Sequence, residues 1–184
     1  MRLFRLLLLF LLIPLSACAL NARGDLLTSS IALPYTLDSG DIVRVTVYGE
    51  AELSRSYRVD DSGKVAMPLV GTVAVRGKTT QAAGNAISAA LAAGYIRDPS
   101  VAVEIDTYRP FYIQGEVKNS GQFPYSYGMT VRAAISVAGG YSDNASRGLV
   151  TVYRRQGDEV LKGMLAPDAV IQPGDTIVVG KGVL

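Results

Sequence analysis

The sequence predicts an α+β protein of two small units behind an apolar leader. Three patterns carry that prediction. Segments of alternating β-branched residues recur along the chain, an alanine-rich stretch of helical period interrupts them, and a second hairpin precedes a short helix and further strands. The elements follow in chain order.

Arg2 and Arg5 form a charged start, Leu6 to Leu15 an apolar run, and small residues follow. This is the layout of a secretory signal peptide. The run is shorter than the roughly 20 residues that span a bilayer. Cys18, the only cysteine, directly follows Leu15-Ser16-Ala17. These four residues resemble a bacterial lipobox. The resemblance implies a diacylglycerol thioether on Cys18, signal cleavage between Ala17 and Cys18, and acylation of the new amino group. Ala19 resembles the residue found there in lipoproteins sorted to the outer membrane. Residues 1–17 are therefore expected to be the signal peptide and 18–34, polar and irregular, a lipidated tether.

Removing the leader changes the charge. The whole chain carries 18 Lys+Arg and 16 Asp+Glu; without Arg2 and Arg5 the remaining chain is formally neutral. A basic footprint for nucleic acid is absent. There is no histidine, which removes Ser-His-Asp and Cys-His catalysis and histidine-based metal sites. With one cysteine no intrachain disulfide forms.

The first unit is expected over residues 35–107. Ile42 to Tyr48 alternates, with Val43, Val45 and Val47 inward. Arg58 to Val65 reads as strand, turn and strand, with Gly63 in the turn. Pro68 marks an edge position or a strand end, and Val73 and Val75 point inward from the next strand. From Gln81 to Ala93 the period becomes helical, with Ala83, Ile87, Ala90 and Leu91 on one stripe, Thr79 or Thr80 as cap and Gly94 as terminator. Ser100 to Asp106 is a strand with Val101, Val103 and Ile105 inward. The second unit is expected over residues 108–184. Phe111 to Val117 is a strand, Lys118-Asn119-Ser120-Gly121 a turn, and Gln122 to Tyr125 the return. Thr130 caps a helix from Val131 to Ala138 that ends at Gly139-Gly140. Leu149 to Arg154 and Ile177 to Val179 are further strands. Hairpin, helix and strands in that order describe a β-grasp module.

One echo links the units: Leu37-Asp38-Ser39-Gly40-Asp41-Ile42 opens the first, and Ile171-Gln172-Pro173-Gly174-Asp175-Thr176-Ile177 closes the second. Two similar turns and common ancestry account for it equally well.

Tyr35 to Val45, Asp61-Ser62-Gly63-Lys64-Val65 and Met67 to Gly71 resemble the polysaccharide-export domain of bacterial outer-membrane polysaccharide export lipoproteins. Gly115-Glu116-Val117, Asn119-Ser120-Gly121, Ala134-Ile135, Ala138-Gly139-Gly140 and Pro173-Gly174-Asp175 are similar to the soluble-ligand-binding β-grasp (SLBB) domain of the same proteins. The resemblance implies a lipid-anchored, homo-oligomeric ring on the periplasmic face of the outer membrane. Capsular polysaccharide or exopolysaccharide would pass through it, and an inner-membrane polysaccharide co-polymerase would dock from below. The chain shows one β-grasp unit and no C-terminal amphipathic helix of the kind that lets long members cross the outer membrane, so a short form working with a separate outer-membrane pore protein is expected. The alternative is a monomeric periplasmic glycan- or ligand-binding lipoprotein.

No catalytic residue, metal site or cofactor is expected. Glu104 and Asp106 lie two apart on one strand face, roughly 7 Å between α-carbons, a spacing compatible with an inverting glycosidase but equally with a solvated strand. Asp60-Asp61-Ser62-Gly63 lacks the full ligand loop of a calcium site. Tyr108, Phe111, Tyr112, Phe123, Tyr125 and Tyr127 cluster around the second hairpin. They are candidates for contact with the polymer or a neighbouring protomer, against a core and edge-packing role.

Overall fold

The computed structural model describes residues 34–157 and 159–182. The Ala17–Cys18 cleavage site, the lipidation site Cys18 and nearly all of the tether lie outside these residues.

The first unit follows from β-branched alternation. Strand β1 (Ile42–Val47) is flanked antiparallel by β2 (Arg55–Arg58) and β5 (Val101–Thr107), in the order β2-β1-β5. Val43, Val45 and Val47 are buried while Arg44 and Thr46 are exposed, as the alternation requires. A hairpin of β3 (Lys64–Met67) and β4 (Gly71–Ala74) follows, with Pro68 just past the end of β3. Asp60 closes the turn before it. Its Oδ1 accepts from the Lys64 amide at 2.9 Å and from the Ser62 hydroxyl at 2.7 Å. These bonds, the backbone one foremost, hold its carboxyl below the usual range.

Helix α1 (Thr80–Ala92) starts where Thr79 Oγ1 accepts the Ala82 amide at 3.2 Å. Its buried stripe is Ala83, Gly84, Ile87 and Leu91. The expected stripe differs at one place, since Ala90 is only half-buried and Gly84 takes a buried position. A Cβ at Gly84 would stand 3.3 Å from the Val101 carbonyl oxygen, so the missing side chain lets α1 lie close on β5. Leu37, Val45, Val65, Val75, Ile87 and Leu91 centre one hydrophobic cluster.

The second unit is a five-stranded sheet with order β7-β6-β10-β8-β9, built from β6 (Phe111–Gly115), β7 (Gly121–Phe123), β8 (Val150–Gln156), β9 (Glu159–Leu165) and β10 (Thr176–Val179). Its first and last strands, β6 and β10, lie side by side and parallel, and the other pairings are antiparallel. Helix α2 (Val131–Val137), capped by Thr130, covers one face. This is the β-grasp arrangement, and the whole is α+β as the sequence predicts. Phe111, Ile113, Val131, Ile135, Val152 and Ile177 belong to a second, separate hydrophobic cluster. The opposite sheet face carries Tyr112, Gln114, Thr176, Thr151 and Tyr153.

Strand β9 is not evident in the sequence. Its first four residues are exposed, including Val160 and Leu161, and Lys162-Gly163 interrupts the apolar alternation. Pairing with β8 along its whole length, from Val150↔Leu165 to Gln156↔Glu159, makes it a strand.

Candidate functional site: the junction of the two units

The echo between the two ends is a repeated structure. Among the described residues, the buried charged side chains are Asp41 and Asp175, both with no exposure. Each follows a glycine with positive φ, Gly40 at 95° and Gly174 at 84°. Each carboxylate turns back to accept an amide three residues earlier, Asp41 Oδ2 from Asp38 at 2.9 Å and Asp175 Oδ2 from Gln172 at 2.8 Å. The glycine amides donate across to the Val59 and Pro110 carbonyls, both at 3.0 Å. The aspartate carbonyls accept from the Val59 and Tyr112 amides at 2.9 and 2.8 Å. Glycine supplies the left-handed turn and aspartate locks it.

A buried carboxylate needs a cation, and the two turns obtain theirs differently. Asp175 takes a two-pronged pair from Arg154 of β8, Nε to Oδ1 at 2.8 Å and Nη2 to Oδ2 at 2.7 Å. Asp41 is held by Arg109, from the linker between the units. The Arg109 amide donates to Oδ1 at 2.9 Å, and its guanidinium Nη1 to Oδ2 at 3.2 Å. The same Nη1 donates to the Tyr35 hydroxyl at 2.8 Å, and Tyr35 donates to Asp41 Oδ2 at 2.6 Å. Asp38 lies 3.7 Å from Arg109 Nη2.

Arg109 also leans on the second turn. A Cβ at Gly174 would fall 2.8 Å from Arg109 Nε. One side chain thus touches both Gly-Asp turns.

A column of tyrosine rings runs beside it. Tyr35 meets Tyr108 edge-on at 5.0 Å between centroids, and Tyr108 meets Tyr125 edge-on at 5.3 Å. The Tyr125 hydroxyl donates to the Ile171 carbonyl at 3.2 Å. Burial raises the hydroxyl pKa of Tyr35, with its bond to Asp41 adding to the shift; burial also leads the upward shifts of Tyr108 and Tyr125.

Two clefts adjoin each other on the surface beside this junction. One cleft of about 330 Å³ is lined by Ser39, Arg58, Arg109, Tyr112 and Gln122 among others. A second of about 390 Å³ is lined by Tyr112, Gln114, Ser120, Gln122 and Thr176 among others. Tyr112 and Gln122 belong to both.

The structure sorts the six aromatic candidates. Tyr112 and Tyr127 are open, at 44% and 75% exposure. Tyr108 and Tyr125 are half-buried in the column. Phe111 is fully buried and stacks on half-buried Phe123 at 5.9 Å. Phe111 is thereby corrected from contact candidate to core residue: it sits on the helix-covered face of β6, and Tyr112, one position on, takes the open face. Tyr35 and Arg109 join the site although neither stands among the sequence-derived candidates; the Gly-Asp echo marks only the turns that Arg109 touches. The acid pair is also placed. Asp106 pairs with Arg44 at 3.6 Å and accepts from Ser56 at 3.2 Å, which makes it part of a cross-strand network on an exposed sheet face. Among the described residues no group of three or more potential metal-binding side chains occurs.

Comparison with known proteins agrees with this architecture. Residues 30–106 match the family model for polysaccharide biosynthesis/export protein, and residues 110–164 match the SLBB domain. The chain is 38% identical over 99 residues to the exopolysaccharide production protein ExoF of Rhizobium meliloti, covering 52% of this chain and 24% of that protein. It is 30% identical over 135 residues to the EPS I polysaccharide export outer membrane protein EpsA of Ralstonia nicotianae, covering 59% and 35%. EpsA of Ralstonia solanacearum is 29% identical over 135 residues. The chain spans between about a quarter and just over a third of the length of these relatives. Both family matches fall in order on the two units described above and, with these relatives, support placing the chain in the polysaccharide export family.

Proposed function

We propose that this protein is a lipid-anchored component of a periplasmic, homo-oligomeric ring that conducts capsular polysaccharide or exopolysaccharide to and through the outer membrane. The observation that carries the reading is the ordered pair of family matches, export domain at 30–106 and SLBB domain at 110–164, behind the lipobox-like Leu15-Ser16-Ala17-Cys18. In this reading residues 35–107 and 108–184 are its two domains. An inner-membrane co-polymerase delivers the polymer, and no bond of it is broken. Two adjoining surface clefts that share Tyr112 and Gln122 support passage over capture, since a sliding polymer must bind weakly at several places.

Three acyl chains on Cys18 would anchor the protein essentially permanently, since each buried methylene contributes about 0.8 kcal/mol. Deleting the protein is expected to abolish surface polysaccharide while lipid-linked precursor continues to be made. Cys18→Ser is expected to move the protein from the membrane to the periplasmic fraction. Intact surface polysaccharide in the deletion strain, measured by immunoblot and composition analysis, would sink the export role. Membrane retention of Cys18→Ser would sink the lipid anchor. A uniform monomer in detergent would favour the ligand-binding lipoprotein instead of the ring.

A further inference from the structure

The open face of the β-grasp sheet carries an ordered strip of side chains. Register aligns Gln122 with Tyr112, Tyr112 with Thr176, Thr176 with Tyr153, and Tyr153 with Lys162. Directly paired residues point to the same face of a sheet, so these five form one row across all five strands. Strands lie about 4.8 Å apart, which makes the row about 19 Å long and places Tyr112 and Tyr153 about 10 Å apart. A parallel row contains Gln114, Val178, Thr151 and Met164.

Composition and charge say what fits. The two tyrosines are exposed, at 44% and 36%, and hydroxyl and amide groups stand beside them. Lys162 lies 5.8 Å from the Tyr153 ring. Arg155, on the same face of β8, and Lys162 are exposed, and Arg58 lines the cleft beyond Tyr112. Neither row contains a carboxylate, and Glu159 falls by alternation on the opposite face of β9. The charged groups at the two ends of the first row are cationic, which favours a ligand that carries acidic groups.

We propose that this face is a binding track for an acidic glycan. The inference rests on the export reading and narrows its substrate class. Tyr112 and Tyr153 stack on the C–H faces of alternate sugars, their separation being close to the length of two linked pyranoses. Thr176, between the two rings, and Gln122, beyond Tyr112, hydrogen-bond to sugar hydroxyls. Lys162 and Arg155 at one end, and Arg58 at the other, meet carboxylate or other acidic substituents. Because the cations are solvent-exposed, each contributes little and its contribution is screened by salt, which keeps binding weak enough for sliding.

The test uses the full chain, extracted in detergent, titrated calorimetrically with an oligogalacturonate octamer and with neutral maltooctaose. The octamer is expected to bind more tightly, and added salt to narrow the difference. Tyr112→Ala and Tyr153→Ala should each weaken binding of both probes by about three- to tenfold, the loss expected of one aromatic contact. Lys162→Gln should weaken only the acidic probe, and Tyr48→Ala, at an 86%-exposed tyrosine elsewhere, should change nothing. Circular dichroism confirms that each variant is folded. Equal affinity for both probes, binding to neither, or binding unchanged by all three row variants would overturn the proposal. A change of oligomeric state in Tyr153→Ala would also overturn it, by assigning the face to contact between copies. The export role fails separately: it falls if the deletion strain still displays polysaccharide, whatever the row variants bind.

Discussion

The Asp41 and Asp175 turns share glycine geometry, amide capture and complete burial, yet differ in the source of their cation. Arg154 reaches Asp175 from within the same sheet. Arg109 reaches Asp41 from beyond the end of the first unit's last strand, 68 positions along the chain. The same local device therefore closes one unit on itself and ties the other to its neighbour. A motif's local conformation follows from its own residues, whereas its role depends on where the compensating charge originates.

The largest expected effect tests the self-contained turn. Arg154→Ala strands a buried carboxylate and is expected to cost about 3–5 kcal/mol, lost mainly from the second unit. Urea unfolding followed by circular dichroism would show this, and an unchanged midpoint would remove the distinction between the turns. Arg109→Ala is expected to cost less, about 1.5–3 kcal/mol, because its own amide, Tyr35 and the Asp38 amide still bind Asp41. Its signature is separation of one unfolding transition into two. A single sharp transition in that variant would mean that Arg109 does not couple the units. Gly174→Ala sharpens the comparison further. It imposes positive φ on a side chain and pushes on Arg109, so a loss of about 1–2 kcal/mol is expected. Gly49→Ala, where φ is also positive but nothing lies within 4 Å, isolates the backbone component and should cost less.

The smallest effect is expected with pH. Burial raises the pKa values of Tyr35, Tyr108 and Tyr125 in the folded protein. Their contribution is fully present below the ordinary tyrosine pKa of about 10. It declines as pH rises past that value, because the unfolded chain then releases protons that the folded one keeps. Melting temperature should therefore fall above about pH 10, and Tyr35→Phe should flatten that fall.

Most strands were legible because Val43, Val45, Val47, Val101 and Val103 alternate without interruption, and both helices because a threonine cap precedes each. Strand β9 was hidden, since an edge strand can leave Val160 and Leu161 in solvent and owes its form to hydrogen bonds with β8. The aromatic cluster was visible as composition, but the faces of β6 that separate Phe111 from Tyr112 follow only from knowing which side α2 covers. The junction was least legible. Glycine and aspartate announce the two turns, but nothing near Asp41 in the chain announces Arg109.

That arrangement has a consequence for how the protein is made. Chains emerge from the ribosome with their N-terminal part first. The strands, hairpin and helix of the first unit are complete at Thr107, yet at that length its buried carboxylate still lacks its guanidinium. A fragment cut after Thr107 keeps the Tyr35 and Asp38 bonds to Asp41 but lacks both bonds from Arg109, so it is expected to be less stable than the same unit with Arg109 attached. The folding unit thus extends beyond its own last strand, so that its completion waits on the first residues of the next.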